Sequence, residues 1–324
     1  MSRIGGTQTN VGVGIEGTAG TAVSASVYPK WLDFSMQAIV EKSLFQGQRG
    51  VRNESSNSMI KRKYSKGAIS FVPNVKTIVP FIYGALGTLS SSSVSDSAYT
   101  HTVTVQNASA SMKSLTLIAE RGGEVTERFA NVVVNQFNLD VSDDYAKVTC
   151  DLIGGYPDTS TLSESFSQET EFAYHQLALK FGDSLSNAAS ASATPMRSFT
   201  LNIDNQVSID DAFLFGSNTP VAGGFTAGPL KVTGSYTLSF NGTAELDAYK
   251  ANTKNALIAE FTGGLIGSTS TEKLTFKLGR LVLTSEPLET TIGGLTMIKQ
   301  DFQVEYDATD KEITAVVVNA VASY

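Results

Sequence analysis

The feature that most constrains the fold of this chain is a strict alternation of apolar and polar residues in several short segments. In residues 198–204, Phe199, Leu201 and Ile203 are apolar and the residues between them are polar. The same period of two occurs in residues 146–152, 231–240 and 301–306. Because successive side chains of a β-strand point to opposite faces, this pattern predicts antiparallel sheets with one buried face and one wet face. The sequence therefore predicts a mainly β protein built from sandwiches or barrels.

Two segments favour short helices instead. Residues 243–250 begin with a Thr that suits a helix N-terminus, and Lys250 follows the acidic residues of the first turn, as the helix dipole prefers. Residues 75–86 are largely apolar and end at Gly87, a residue suited to a C-cap, although Pro80 leaves the start of this helix undefined. No apolar run approaches the ~20 residues that a membrane span needs, so we expect no membrane partner.

The length of the chain indicates two domains. With 324 residues and a prior of roughly 150 residues per domain, we predict an N-terminal arm, a first domain, a Ser/Thr-rich linker and a second domain at residues 1–22, 23–157, 158–168 and 169–324. In each half an alternating strand, at residues 67–71 and 234–240, runs into a predicted helix. A Leu-Thr strand and two longer strands then follow in both halves, which favours two similar β-sandwich domains, each with a short flanking helix.

Charge is distributed unevenly along the chain. The formal net charge is -7, and nearly all of it comes from residues 163–324. An acidic chain without a basic stripe is poorly suited to gripping phosphates. The densest basic cluster is Lys61, Arg62, Lys63 and Lys66. It is either a solvated hairpin arm or a loop that docks on an acidic neighbouring subunit.

Several motifs suggest chemistry, but their context does not support it. Gly12, Gly14 and Gly17 match the Gly-x-Gly-x-x-Gly pattern of dinucleotide-binding proteins, which requires a preceding strand and a following helix. Neither is predicted here, so we expect a flexible glycine-rich arm. Ser58 and Lys61 match a four-residue Ser-x-x-Lys pattern whose companion motifs are missing.

Catalytic and metal-binding residue types are scarce. His101 and His175 are the only histidines and Cys150 is the only cysteine. A catalytic triad or a multi-histidine metal site is therefore not expected. We expect His101 at an edge-strand position, and carboxylate pairs such as Asp143 and Asp144 in solvated turns. The sequence thus predicts no catalytic residue, no cofactor and no bound metal, and favours a non-enzymatic protein. The start of the chain has no apolar signal-peptide core, so synthesis in a cytoplasm is expected.

In layout, the chain resembles the tail tube proteins of long-tailed bacteriophages. The matching parts are the segment at residues 11–22, the long polar loop through Arg49 and Lys66, the segment at 84–88, and the closing strands at 143–154 and 300–307. The resemblance implies β-sandwiches that close into rings with a continuous inner β-barrel. It also implies that rings stack through a long loop and the terminal arms, and that double-stranded genomic DNA passes through the bore without specific binding.

The resemblance leads to specific expectations for assembly. One-domain members form sixfold rings, so two fused domains imply three chains in a pseudo-sixfold ring. A single tube domain with an outer β-domain would instead need six chains. Tail tip and terminator proteins are expected at the tube ends, and the virion tail is the expected location. The candidate lumen-facing residues are Asn202, Asp204, Asp301, Gln303 and Glu305, and the candidate ring-stacking loop contains the four basic residues at 61–66.

Two alternatives remain open at this point. One is a tube subunit of a contractile injection system or another self-assembling β-protein. The other is a carbohydrate-binding β-sandwich module, which would need an exposed aromatic platform. Trp31 is the only Trp in the chain, and most Tyr and Phe residues follow the alternation of a core. The second alternative is therefore the less favoured of the two.

Overall fold

A computed structural model describes residues 9–47, 50, 52, 57–95, 97–107, 111–166, 170–213, 222–239, 244–286, 288–289 and 297–324. Within them the protein is mainly β and all strand pairings are antiparallel. The strands are β1 (Thr9–Ile15), β2 (Trp31–Phe34), β3 (Gln37–Phe45), β4 (Asn57–Phe71), β5 (Gly87–Ser93), β6 (Tyr99–Val105), β7 (Leu115–Arg121), β8 (Val125–Val141), β9 (Lys147–Gly154), β10 (Asp158–Thr159), β11 (Leu177–Gly182), β12 (Met196–Asp204), β13 (Lys231–Ser239), β14 (Asn255–Ile266), β15 (Ser270–Leu283), β16 (Leu288–Glu289), β17 (Met297–Val304) and β18 (Ile313–Asn319). The helices are α1 (Val79–Leu86), α2 (Leu185–Ser190) and α3 (Ala244–Ala251).

Six strands form the sheet that organises the molecule. Their order is β4, β9, β8, β12, β13 and β17, so three strands come from each half of the sequence. At one end β2 and β3 pair with β4. At the other end β16 and the last residues of β15 pair with β17. Within the described residues this sheet does not close on itself.

A second sheet packs against the first and encloses the core. Its order is β5, β6, β18, β15, β14 and β11. The rings of Phe137 on β8 and Phe276 on β15 lie 6.2 Å apart, and those of Phe181 on β11 and Tyr236 on β13 lie 5.1 Å apart. The start of β8 leaves the first sheet and joins β10, β7 and β1. No helix in the described part of the chain is long and apolar enough to cross a membrane.

The two halves of the sequence share sheets and a core. β8 pairs with β12, and β6 pairs with β18, so each sheet crosses the expected boundary. The largest hydrophobic cluster also contains residues of both halves. The proposed linker begins as β10 and continues to Phe166, whose ring lies 6.3 Å from that of Tyr28. Residues 1–8 of the arm, 167 and 168 of the linker and 169 of the second predicted domain lie outside the described residues, and the division into two domains stays a prediction.

Strands of the two halves nevertheless pair in the same order. In the first half β4 pairs with β9, β9 with β8, and β8 with β7. In the second half β13 pairs with β17, β17 with β15, and β15 with β14. Both β8 and β15 are long strands: the last part of each pairs with a strand of the six-strand sheet, and the first part pairs with strands outside it. The Leu-Thr strands that the sequence pattern matched lie on β7, at Leu115 and Thr116, and on β15, at Leu274 and Thr275, and these two strands are not equivalent in this pairing order.

The prediction of a flexible N-terminal arm is wrong for residues 9–15. They form β1, in which Val11 and Val13 are fully buried. A Cβ atom at Gly12 would lie 2.5 Å from Ala25, and one at Gly14 would lie 2.4 Å from the Ser24 carbonyl oxygen. Glycine is therefore required here because another segment packs directly on the strand. Both glycines lie within a strand, so the strand–turn–helix context of a dinucleotide site does not occur.

The helix predictions are close to the observed elements. α1 begins at Val79, with Pro80 in its first turn, and Gly87 ends it with a φ of 101°. The Gly87 N–H donates to the Tyr83 carbonyl, the C-cap contact that favours glycine. α3 covers Ala244–Ala251, as the charge pattern indicated. α2 was not predicted; Ser184 caps it by accepting a hydrogen bond from the Asn187 N–H at 3.3 Å.

The expectation of a long polar loop through Arg49 and Lys66 is wrong from Asn57 onward, where β4 begins, and Arg49 lies outside the described residues. β3 and β4 form a long hairpin with pairs from Gln37↔Lys66 to Phe45↔Asn57, so only the residues between these strands connect them. Residues 57–63 do not reach the core. Their sequence therefore lacks the alternation of apolar and polar residues by which a half-buried strand is recognised. Strand character here comes from pairing with β3 and not from burial.

Candidate functional site

The six-strand sheet has a polar face on the side away from the core. A row of uncharged polar side chains crosses it, one from each strand and each directly opposite the next. The row consists of Ser70, Thr149, Asn138, Asn202, Thr233 and Gln303. The Ser70 and Thr149 hydroxyl oxygens lie 2.9 Å apart. Such cross-strand hydroxyl pairs stabilise a sheet while leaving its surface uncharged.

Charged side chains on this face are balanced. Asp140 lies opposite Lys147, and Asp204 lies opposite Lys231. Alternation along the six strands places four carboxylates and four ammonium groups on this side: Asp140, Asp151, Asp204 and Asp301, with Lys66, Lys147, Lys231 and Lys299. Lys66 lies at the margin of the face, because it also pairs with Gln37 at the base of the β3–β4 hairpin. The face is therefore close to neutral, although the whole chain carries a formal charge of -7.

The opposite side of the same strands is packed and fixes the polar face in place. Phe137, Leu139 and Val141 on β8, and Phe199, Leu201 and Ile203 on β12, are almost fully buried. Between the polar side chains of β8, β12, β13 and β17 lies a hollow of about 600 Å³. Thr200 Oγ1 and Ser235 Oγ lie 2.9 Å apart at its floor. Backbone pairing on both sides of each inner strand makes this surface rigid.

Four of the five candidate lumen residues lie on this face. Asn202 and Asp204 are on β12, and Asp301 and Gln303 are on β17, with β13 between the two pairs. Glu305 does not belong to the strand, because β17 ends at Val304. Its carboxylate lies 3.3 Å from Lys254 Nζ and 3.2 Å from Arg280 Nε. A role for these residues in lining a lumen stays a prediction.

Sequence reasoning missed the part of the face that lies in the first half. Thr149 on β9 and Asn138 and Asp140 on β8 complete the surface. The alternation of residues 146–152 placed Thr149 on a wet face but did not indicate which other strands share it. Only the pairing of β8 with β12, residues more than fifty positions apart, joins the two sets.

The four basic residues at 61–66 lie on β4 and not in a loop. Arg62 Nη1 is 2.5 Å from Asp210 Oδ1, and its guanidinium lies 5.0 Å from the centre of the Phe213 ring. Lys63 Nζ lies 5.0 Å from the centre of the Tyr156 ring. Lys61 and Lys66 are exposed. Two of the four side chains therefore have partners within the chain, and the stacking role stays a prediction.

The two histidines lie in separate elements. His101 is fully buried on β6, and its Nδ1 is 2.8 Å from Ser91 Oγ. The expected edge position is wrong, because β6 pairs with β5 on one side and β18 on the other. His175 is exposed in a short 3-10 helix at Tyr174–Gln176. Among the described residues, no three metal-ligating side chains cluster together.

Cys150 is buried on β9, facing the core. Burial raises the pKa of its thiol well above the ordinary value, and the neighbouring Asp151 carboxylate adds to this. A buried thiol with a raised pKa is a poor nucleophile.

Asp143 and Asp144 lie in the bend between β8 and β9, and Asp210 in a 3-10 helix, which agrees with the expected turn contexts.

The comparisons with known proteins address the whole chain. No curated protein matches it. The sequence model described as "Phage tail tube protein" matches residues 3–306, which includes every strand of the polar face. This span exceeds nine-tenths of the sequence and contains both of the halves that pair in the same order. The chain therefore belongs to the phage tail tube protein family.

Proposed function

We propose that this protein is a structural virion protein that polymerises as stacked rings to form the tail tube. The polar face of the six-strand sheet lines the bore, through which genomic DNA passes into the host. The observation that carries this proposal is the uncharged row from Ser70 to Gln303 with balanced charges beside it. Membership of the tail tube family supports assembly into a tube, and the chemistry of the polar face supports its position on the wall of the bore.

The chemistry of this face suits transit better than binding. Proteins that hold duplex DNA do so mainly through Lys and Arg contacts to phosphates. On this face each lysine has a carboxylate on the same surface, as in the pairs Lys147 with Asp140 and Lys231 with Asp204. Phosphates thus meet no continuous cationic track, while hydroxyl and amide groups keep the wall wetted. DNA can then slide without a site at which it stalls.

Three chains in a pseudo-sixfold ring best account for the repeated strand order. Each chain would contribute the six strands of the polar face, three from each half, together with β2–β3 and β15–β16 at the two ends of this sheet. Closing the sheet into a barrel also removes its exposed edges, which are otherwise prone to unwanted pairing. The competing arrangement, with six chains per ring and one tube domain in each, would leave one of the two repeated halves outside the wall.

Stacking between rings is assigned to the hairpin of β3 and β4. Its outer part exposes apolar side chains: Leu44, Phe45, Met59 and Ile60 are 59%, 66%, 65% and 40% exposed. The hairpin register places Leu44 and Ile60 on one face and Phe45 and Met59 on the other. Exposed apolar side chains on both faces of one element are typical of a segment that is covered in an assembly. Lys61 and Lys66 add charge that an acidic neighbour would complement. Tail tip and terminator proteins would cover the hairpins and their receiving surfaces at the tube ends.

Electron microscopy of the purified protein tests this function. We expect tubes or stacked rings with an open bore, and end-on averages that count three chains per ring. Dispersed monomers over a wide concentration range, with or without salt, would contradict the tube function. Six chains per ring would keep the function and overturn the duplicated-domain arrangement. Assembly in the host cytoplasm and location in the virion tail follow from the same proposal.

A tube subunit of a contractile injection system remains the second candidate. The family match does not separate the two tube types, and the neutral polar face is the observation that favours DNA transit. Packaged DNA within tubes of intact virions would support the first candidate. Tubes found only inside a contractile sheath, with no DNA in their bore, would support the second.

A further inference from the structure

The two strands that meet at the junction of β12 and β8 each have a structural counterpart at one end of the six-strand sheet. The counterpart of β12 lies beside β4, and the counterpart of β8 lies beside β17. The first counterpart is the segment that precedes β4. Ser35 Oγ accepts a hydrogen bond from the Ala68 N–H at 2.9 Å, and Thr200 Oγ1 accepts one from the Ser235 N–H at 3.0 Å. The first contact joins the β2–β3 segment to β4, and the second joins β12 to β13. Residues 31–39 therefore correspond to residues 196–204.

Strand irregularities confirm this correspondence. The pairing of β2 with β4 shifts between Trp31 and Asp33, and the pairing of β12 with β13 shifts between Met196 and Ser198. These positions are equivalent when Ser35 is matched to Thr200. β-bulges lie at defined places in a fold, so their coincidence is a specific match and not a general property of sheets.

Two glycines show the same equivalence at atomic distances. A Cβ atom at Gly67 would lie 2.5 Å from the Ser35 carbonyl oxygen. A Cβ atom at Gly234 would lie 2.3 Å from the Thr200 carbonyl oxygen. In both halves the leading strand crosses directly over a glycine of the following strand. The two segments therefore pack alike as well as pairing alike.

The second part of the junction is β8, and its counterpart consists of the end of β15 together with β16. Val133 pairs with Ile153 on β9, and Val282 pairs with Gln303 on β17. Further along, Leu139 pairs with Val148, and Leu288 pairs with Ile298. The difference in residue number is the same from Val133 to Val282 as from Leu139 to Leu288, so residues 282–286 and 288–289 correspond to residues 133–137 and 139–140.

The two copies of this arrangement differ at one edge. The outer edge of β8 is covered by β12, from Asp204↔Gln136 to Phe199↔Val141. Within the described residues, β16 pairs with β17 alone, and β14 leaves β15 at the pair Asn255↔Leu281. β2 and β3 likewise pair with β4 alone in the described part of the chain. The chain therefore has a counterpart of β12, in β2–β3, and a counterpart of β8, in β15–β16, but they lie at opposite ends of the sheet and, among the described residues, do not pair with each other.

We propose that β2–β3 of one copy pairs antiparallel with the β15–β16 edge of the next copy, in the register of β12 with β8. Transferring the pairs Thr200↔Asp140 and Leu201↔Leu139 places Ser35 opposite Glu289 and Met36 opposite Leu288. Transferring Asp204↔Gln136 places Ile39 opposite Ser285. The junction between copies then has the geometry that the chain already makes within itself.

A second copy of the chain is the occupant because each edge has its complement on the same molecule. Such a head-to-tail contact is heterologous, and it produces a closed ring when the rotation between copies closes. The Met36 carbonyl, on the β2–β3 edge, accepts a hydrogen bond from Arg121 Nη2 at 2.7 Å. A guanidinium has five donors, so Arg121 can keep a contact here after a strand is added. This inference rests on the proposed assembly and specifies its contact.

Paired cysteines test the register. Ser35→Cys combined with Glu289→Cys places two thiols at a directly opposed pair, where Cα atoms lie about 4.5–5.5 Å apart and a disulfide fits. On mild oxidation of assembled protein we expect a ladder of covalent oligomers, reversed by reductant. Thr200→Cys with Asp140→Cys is the matched control within one chain, and it should form a disulfide without joining chains. Cys150 is buried and should remain unreactive.

A displaced cysteine pair and two single-cysteine variants show whether cross-linking depends on the proposed register. Gln37→Cys with Glu289→Cys is displaced by two residues, and we expect roughly ten-fold less covalent oligomer from it, since the Cα separation exceeds the disulfide range. Ser35→Cys alone and Glu289→Cys alone should stay monomeric on denaturing gels, while their mixture should give dimers. Tubes that assemble but yield no covalent dimers, or yield more from the displaced pair, would overturn the proposal.

Two further results separate this inference from the tube function. If the double variant does not assemble, the two single variants are mixed into an excess of unmodified chain. Dimers in the resulting tubes then support the register, and their absence overturns it. Covalent rings without tubes in the microscope would uphold the edge pairing and contradict the tube function.

Discussion

His101 Nε2 lies 3.0 Å from Asn319 Oδ1, at the place where β6 of the first half pairs with β18 of the second. The same ring nitrogen is 2.9 Å from the Val321 carbonyl oxygen. Asn319 Nδ2 donates to the Val75 carbonyl and to the Tyr324 hydroxyl, both at 2.8 Å. These contacts, with the hydrogen bond from the Tyr324 hydroxyl to the Lys76 carbonyl, tie Asn319 and Tyr324 to the segment before α1.

Asn319→Ala should destabilise the protein by about 2–4 kcal/mol, because it leaves the buried Val75 carbonyl and one His101 contact without their partner. Urea unfolding of unassembled protein measures this as a lower midpoint with an unchanged slope. Asn57→Ala, at an exposed position of the β3–β4 hairpin, is the control and should unfold like the parent. Equal midpoints for the two variants would show that the network contributes no net stability.

Glu16→Ala should cost about 3 kcal/mol or more, since the Glu16 carboxylate is buried and accepts four hydrogen bonds. The donors are the Gly20 and Asn131 N–H groups and the Ser114 and Thr116 hydroxyls, at 2.8, 2.9, 2.6 and 2.8 Å. Removing the carboxylate leaves two main-chain donors without a partner. Glu124→Ala, in an exposed turn, is the matched control. Thermal unfolding of the two variants in parallel checks the difference, and similar melting temperatures would contradict it.

Local patterns predicted the strands whose two faces differ in polarity. The alternation of residues 198–204 and 231–240 led directly to β12 and β13, with boundaries within two residues of those observed. The tight turn requirement at Gly87 likewise predicted the end of α1. In β12 and β13 one face packs against the core and the other is polar. This difference produces an alternation of residue types that a short window of sequence shows.

Other features depend on pairings that no short window contains. β1 was missed because Gly12 and Gly14 supply close packing and not an apolar face. β4 was missed in its outer part because pairing with β3, and not burial, holds it. The polar face required the pairing of β8 with β12, and the buried setting of His101 required the pairing of β6 with β18. The expectation of a ring assembly came from the family resemblance, because the contacts within one chain do not include those between copies.

Cys150 should not react with a thiol reagent at pH 8 while the protein is folded. Its side chain is fully buried and burial raises the pKa of the thiol, so both access and thiolate are lacking. Unfolding removes both barriers, and we expect one thiol per chain to react in denaturant. A rapid reaction of the native protein would mean that β9 opens readily, which would contradict a rigid sheet.

Lysines in the uncharged row should slow DNA transit without preventing assembly. Asn138→Lys, Asn202→Lys and Thr233→Lys place three cations on adjacent strands, where they can contact phosphates of passing DNA. Virions that carry the triple variant should have normal tails and a slower, salt-sensitive DNA ejection. Thr88→Lys, Ser90→Lys and Ser92→Lys on β5, outside the six-strand sheet, are the control with the same charge. Equal ejection rates for the two variants would contradict a lumen position.

Reversing Lys61 and Lys66 should weaken the stacking of rings without altering the stability of the subunit. Both side chains are exposed, whereas Arg62 and Lys63 contact Asp210 and Tyr156 within the chain and are left unchanged. One exposed ion pair is worth only ~0–1 kcal/mol, but in the proposed tube the contact would be repeated around every ring. Lys61→Glu with Lys66→Glu should therefore give shorter tubes, most clearly at low salt, where charges are least screened.

The control for stacking keeps the charge change and moves it. Arg197→Glu with Lys250→Glu alters two exposed basic residues outside the β3–β4 hairpin by the same total charge. Tube length distributions from electron microscopy, at matched subunit concentration and two salt concentrations, compare the two variants. If both variants shorten tubes equally, net charge alone governs the length. If neither does, the basic residues of β4 have no part in stacking, and the exposed apolar residues of the hairpin hold the rings together.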